Sequence, residues 1–178
     1  GINSGCGSGK HNIELAKILE KIEDIEISDF VGGTKFNVIP SQAKAQIMTS
    51  LVAEKMEELC RNAQRELREI YPEIEITLTP KNREEKVLNK ESSKAFLQAI
   101  IQFPHGVVHK NESQEVTTSI NLGIVNLQGW KVGMRSSRKV EEQECLDLLK
   151  NYSEQHQLGF NIIGSQPGFE SDLESPLI

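Results

Sequence analysis

Hydrophobic residues recur along this chain in two rhythms. Residues 11–22 place Leu15, Ile18, Leu19 and Ile22 at steps of three and four, which predicts a helix with one apolar face. Residues 25–31 (IEISDFV) and 36–48 (FNVIPSQAKAQIM) follow, parted by Gly32-Gly33-Thr34. In the second of these, Ala43, Ala45 and Ile47 alternate with Lys44 and Gln46, the period of a strand. Between residues 50 and 71, Val52, Met56, Leu59, Ala63, Leu67 and Ile70 give the clearest helix, and Pro72 ends it. Ile74, Ile76 and Leu78 then alternate with Glu75, Thr77 and Thr79, as in a half-buried strand.

The stretch TPKNREEKVLNK (79–90) is charged and nearly free of core residues, so it is the expected internal boundary. Beyond it the same order of elements returns. Residues 92–103 read as a helix opened by Ser92 or Ser93. Residues 115–125 and 129–137 read as a hairpin. Residues 139–157 read as a helix with Cys145, Leu148 or Leu149, Tyr152 and His156 on one face, ended by Gly159. Phe160–Ile163 is the expected last strand. Helix–strand–strand–helix–strand twice over is a βαββαβ unit with its first strand missing or short. Lys86–Asn89 could supply that strand for the second half. For the first half only ten residues precede the helix, so the strand is expected to be cut away. The fold class expected is α+β: two tandem ferredoxin-like halves, residues 1–80 and 91–170, with antiparallel sheets and helices on one face. Residues 81–90 are the connector, and 171–178 read as a hinge leaving the domain.

Length and composition narrow the function. A chain of 178 residues can bury a core without staples, and 37% apolar with 26% charged residues is ordinary for a soluble protein. A net charge of −6 argues against nucleic-acid binding, which needs a basic face. No apolar run approaches the roughly 20 residues of a membrane span. Cys6, Cys60 and Cys145 are far apart, with no CxxC and no zinc-ligand spacing, so reduced thiols in a cytosolic protein are expected.

Several motifs invite a chemical reading and do not sustain it. SGCGSGKH (4–11) resembles a phosphate-cradling loop, but Ser4 stands where the first glycine belongs. His11 stands where a magnesium-binding Ser or Thr is required. His105 and His109 have helical metal-ligand spacing, yet Pro104 and Gly106 break a helix there, and a solvated loop is the expectation. The glutamate pairs at 57–58, 84–85 and 141–142 read as surface charge. No serine or cysteine has an evident base, so no catalytic residue and no metal ligand is assigned to this chain. Two polar positions stand out. Asn37 follows a Gly-Gly-Thr turn, and its amide can both donate and accept. Arg135 alternates with Trp130, Val132 and Met134, so it points away from the core, where a guanidinium could grip a carboxylate through two hydrogen bonds. Ser119 and Asn121 share the strand face opposite Thr118, Ile120 and Leu122 and could line the same polar surface.

ISDFVGGTKFNVIPSQA (27–43), FPHGVVHK (103–110), TTSINLGIV (117–125), MRSS (134–137) and GSQPGFESDLESPLI (164–178) occur in that order. Together they resemble the lid region of aminoacyl-histidine dipeptidases, co-catalytic zinc enzymes that cleave small dipeptides. The weakest match is Gly1–His11, where the family has a Gly-Arg-Gly-Asn-Ala-like stretch. The resemblance implies a lid inserted into a catalytic domain that supplies two zinc ions and a glutamate base from outside this chain. It also implies that both ends lie at hinges of a longer cytosolic protein. Asn37 matches the family's Asn-x-Ile-Pro asparagine and Arg135 its Arg-Ser arginine; both are expected to reach the substrate's free carboxylate. His105 falls where relatives often carry Asn and receives no role. A dipeptide is the expected partner, and a homodimer is compatible with this reading. The alternative is a tandem ferredoxin-like module for a small ligand or for dimerisation, with no catalytic partner. Such a module would bind its ligand unaided, whereas a detached lid would not.

Overall fold

The computed structural model describes residues 2–5, 10–81 and 86–164. The tail at 171–178, Cys6 and the pair at 84–85 lie outside the described residues. Among the described residues are seven strands and four helices: β1 (Ile2–Gly5), α1 (His11–Glu20), β2 (Glu26–Gly32), β3 (Gln42–Met48), α2 (Ala53–Arg68), β4 (Glu75–Leu78), α3 (Lys90–Ile101), β5 (Gly106–Lys110), β6 (Val116–Asn126), β7 (Gly129–Ser136) and α4 (Lys139–Gln155). The pairs β1–β3, β1–β4, β2–β3, β2–β6 and β5–β6 are all antiparallel, so the α+β class expected from the sequence holds. The chain divides into two compact units, Gly1–Phe103 with Asn121–Gly133, and Pro104–Ile120 with Met134–Ile178.

In the first unit the strands lie in the order β4-β1-β3-β2, followed by the end of β6. A first strand does exist and is short; it is not cut away. Four residues suffice because β1 is central, paired with both β3 and β4. The apolar stripe of α1 is fully realised: Leu15, Ile18, Leu19 and Ile22 are all buried. On α2 the stripe is shorter than its periodicity suggests. Met56, Ala63 and Leu67 are buried, while Val52 and Ile70 flank the helix and are exposed. Ile18, Ala63, Leu67 and Ile74 form one cluster, so α1, α2 and the residue leading into β4 share a core. Burying such side chains is worth roughly 1.5–3 kcal/mol each and drives the packing. Edge-on contacts of Phe96 with Phe30 and Trp130, and of Trp130 with Phe103, tie α3 to the sheet.

The connector does not form the strand expected at Lys86–Asn89. Instead Leu88 N–H donates to the Ile27 carbonyl at 2.8 Å, and Ile27 N–H donates to Ser93 Oγ at 3.0 Å. Ile27 is paired with Ile47 in the β2–β3 ladder, and these two bonds satisfy the backbone groups that it turns away from β3. Ser93, buried for that purpose, does not open α3. Asn89 does, its side chain accepting from Ser92 N–H at 2.7 Å.

The second unit pairs β5 antiparallel with β6 and carries α4. Residues 106–110, read from the sequence as a loop, form a strand. Gly106 absorbs the kink at a φ of 113°, and the tight turn at Asn111–Glu115 sends the chain back. The buried face of α4 carries Cys145, Leu149 and Tyr152, with Leu148 outside. This helix ends before Gly159. Gln157 takes the left-handed conformation at φ 55°, and Leu158 N–H caps the Ser153 carbonyl at 2.7 Å. Phe160–Ile163 is not a strand; Phe160, Ile162 and Ile163 are exposed.

Candidate functional site

The strand expected over 36–48 begins only at Gln42, and the residues before it form a loop that carries Asn37. Gly33 turns the chain at φ 70°, and its N–H donates to the Gln42 carbonyl at 3.1 Å, closing the base of the loop. At the far end Pro40 is buried, and its carbonyl accepts from His11 Nδ1 at 3.0 Å, which places a proton on that nitrogen. His11 is therefore a deeply buried anchor in the first turn of α1; residues 6–9 of the phosphate-loop likeness before it lie outside the described residues. Its neighbour Asn12 is also buried and donates from Nδ2 to the Leu122 carbonyl at 3.1 Å. A side chain at Gly32 would overlap the Asn12 amide, which occupies that space.

Between these anchors the loop lies against β6 and β7. A Cβ at Gly123 would fall on the Phe36 backbone, and one at Gly133 would come within 2.7 Å of the Phe36 carbonyl oxygen. A Cβ at Gly33 would overlap the Gly123 carbonyl. Asn121 Nδ2 donates to the Phe36 carbonyl at 2.9 Å and to the Val38 carbonyl at 3.0 Å. Asn37 sits between those two carbonyls and is exposed. Its neighbours are exposed as well: Phe36 by 53%, Val38 by 51% and Ile39 by 50%. The Asn37 amide thus stands exposed among half-bare apolar side chains.

Of the four polar residues singled out from the sequence, Asn37 and Asn121 belong to the first unit and are brought together by this tether. Ser119 and Arg135 belong to the second. Ser119 is half-buried on β6, opposite Val107 of β5. Arg135 is exposed on β7, as the alternation predicted, with Met134 partly buried beside it. His109 is partly exposed on β5 and its Nε2 lies 3.2 Å from Glu144. Glu141 accepts from Thr118 Oγ1 at 2.6 Å; this bond is the main reason its carboxyl titrates below the ordinary range. Among the described residues no group of three His, Cys, Asp or Glu could hold a metal ion. None of the described helices is long and apolar enough to cross a membrane. The glycine seat and the buried His11 anchor were not foreseen. Neither leaves a local signal, because each works through a partner far along the chain.

No protein-family model matches this chain. By sequence it is similar to the cytosol non-specific dipeptidase of Escherichia coli (strain K12), 25% identical over 170 residues. That match covers 87% of this chain and 34% of the relative. By structure it is similar to the aminoacylhistidine dipeptidase of Vibrio alginolyticus, with a TM-score of 0.85 at 20% identity. That likeness covers 98% of this chain and 41% of the other, and it establishes the fold. The chain thus spans about a third of the curated relative and two fifths of the solved one. The dipeptidase resemblance read from the motifs is met by both comparisons.

Proposed function

We propose that this chain is the lid of a cytosolic zinc-dependent dipeptidase that hydrolyses Xaa-His dipeptides. In this reading Asn37 and Arg135 hold the substrate's free carboxylate, and Ser119 and Asn121 are further substrate-binding residues. The two zinc ions, which would activate water, and the general base would be supplied by other parts of the parent polypeptide. The observation that carries the reading is Asn37 itself: an exposed amide on an anchored loop with an apolar rim, in a chain similar to part of two dipeptidases. Closing such a surface over a dipeptide would exclude water and fix the reactant's orientation. The guanidinium of Arg135 suits the carboxylate, since its planar fork can make two parallel charge-assisted bonds.

The test is Arg135→Ala in the full-length enzyme. Losing charge-assisted bonds should cost roughly 2–4 kcal/mol, about 30- to 1000-fold in kcat/KM for an Xaa-His dipeptide. Steady-state kinetics showing less than about a threefold loss would rule the clamp out.

A further inference from the structure

We propose that Asn121 is the positioning residue for Asn37, and that Gly123 and Gly133 are glycines so that it can be. This rests on the reading of Asn37 as a substrate contact, and adds what fixes its place.

The loop cannot be held by burial of its own side chains, because Phe36, Val38 and Ile39 are each about half exposed. Its backbone is what is held. The two hydrogens of the Asn121 amide go one each to the carbonyls of Phe36 and Val38, which bracket Asn37. Those bonds need the loop backbone to come down onto the strands. The absence of side chains at 123 and 133 permits this, since a Cβ at either would press on the Phe36 carbonyl. With the base closed at Gly33–Gln42 and the far end anchored by His11, residue 37 is fixed from three directions. A carboxylate at 121 has the same shape as the amide but no hydrogen to donate, and it would repel both carbonyls. The geometry therefore requires a two-donor group of this length at this position. Its effect on substrate passes through Asn37, whose placement is settled before binding instead of during it.

Asn121→Asp tests this. Amide hydrogen exchange should rise about tenfold or more across residues 34–40, with α1, β2 and β3 unchanged. In the full-length enzyme, kcat/KM for a dipeptide should fall about tenfold or more, as expected from two lost bonds. That loss should vanish in an Asn37→Ala background, because two residues acting through one contact are not additive. A purely structural role would instead give the same loss in both backgrounds, and that result would overturn the proposal, as would unchanged exchange. Faster exchange with undiminished hydrolysis in both single variants would overturn the reading of Asn37 on which the proposal rests. Gly133→Ala, which crowds the same carbonyl without touching Asn121, should reproduce the exchange pattern. It serves if Asn121→Asp does not fold.

Discussion

Replacing Gly123 by alanine should be among the most costly single-methyl additions in the first unit. The added Cβ meets the carbonyl oxygen, carbonyl carbon and Cα of Phe36, all backbone, so no rotamer change relieves the overlap. One partner must move, and the exposed loop yields before the strand. Lifting it strips Asn121 of two hydrogen bonds, at about 1 kcal/mol each. Residual crowding adds roughly 1–3 kcal/mol. Alanine narrows the unfolded ensemble and returns about 0.4–1 kcal/mol. The balance is a loss of about 2–4 kcal/mol, or a Tm lower by about 10 °C for a chain of this size.

The same reasoning grades two further glycines. At Gly133 the overlap is one contact of 2.7 Å, the next nearest atoms lying at 3.5 and 3.6 Å, so the cost should be about 1–2 kcal/mol. At Gly129 nothing lies within 4 Å, and alanine should be neutral within about 0.5 kcal/mol. Urea unfolding of the three variants at one pH, with unchanged m values, gives the series directly. If Gly123→Ala lies within 0.5 kcal/mol of the parent, or if Gly129→Ala costs as much as Gly123→Ala, the seat does not exist as described.

Two other expectations concern titration and reactivity. Asp24 accepts from Ser50 N–H at 2.7 Å and Thr49 Oγ1 at 2.6 Å, joining the turn after α1 to the turn after β3, and contacts with Ser50 and then Thr49 hold its carboxyl well below the usual range. Because the folded value is depressed, the stabilisation is complete above about pH 4 and fades as pH falls below it; urea midpoints of Asp24→Ala should therefore depend less on pH between about 4 and 2 than those of the parent, and parallel curves would refute the linkage. Burial pushes up the thiols of Cys60 and Cys145, so alkylation of both at pH 7.5 should be about 100-fold or more slower in the native chain than in urea; comparable rates in the two states would contradict their packing.

What the sequence disclosed and what it hid divide along one physical line. The helices α1 and α2 and the strands β6 and β7 were legible because burial of one face imposes a period that local reading can detect. The exposure of Arg135 and the buried positions of Ile120 and Leu122 followed from that alternation. β5 was hidden because Pro104 and Gly106 carry the signature of a loop, while strand pairing to β6 overrides it. β1 was hidden because four residues are too few to show a period, and its strength comes from two neighbours. The end of α4 was misplaced because glycine is the usual left-handed residue, whereas Gln157 takes that conformation here. The Asn121 tether joins residues 85 and 83 positions apart, and no spacing rule reaches across such a gap.

That gap also explains why the glycines matter more than their number suggests. Read locally, Gly123 and Gly133 only weaken strands, since each forgoes a side chain that would pack. Two such losses in adjacent strands persist because they create a seat for a third segment. The seat keeps half-exposed apolar side chains around an amide in one arrangement, instead of letting them collapse onto the nearest surface. A loop without this seat would be free to bury its own apolar residues. The stability given up in β6 and β7 therefore maintains an outward-facing surface, which is what closing over a small ligand would require.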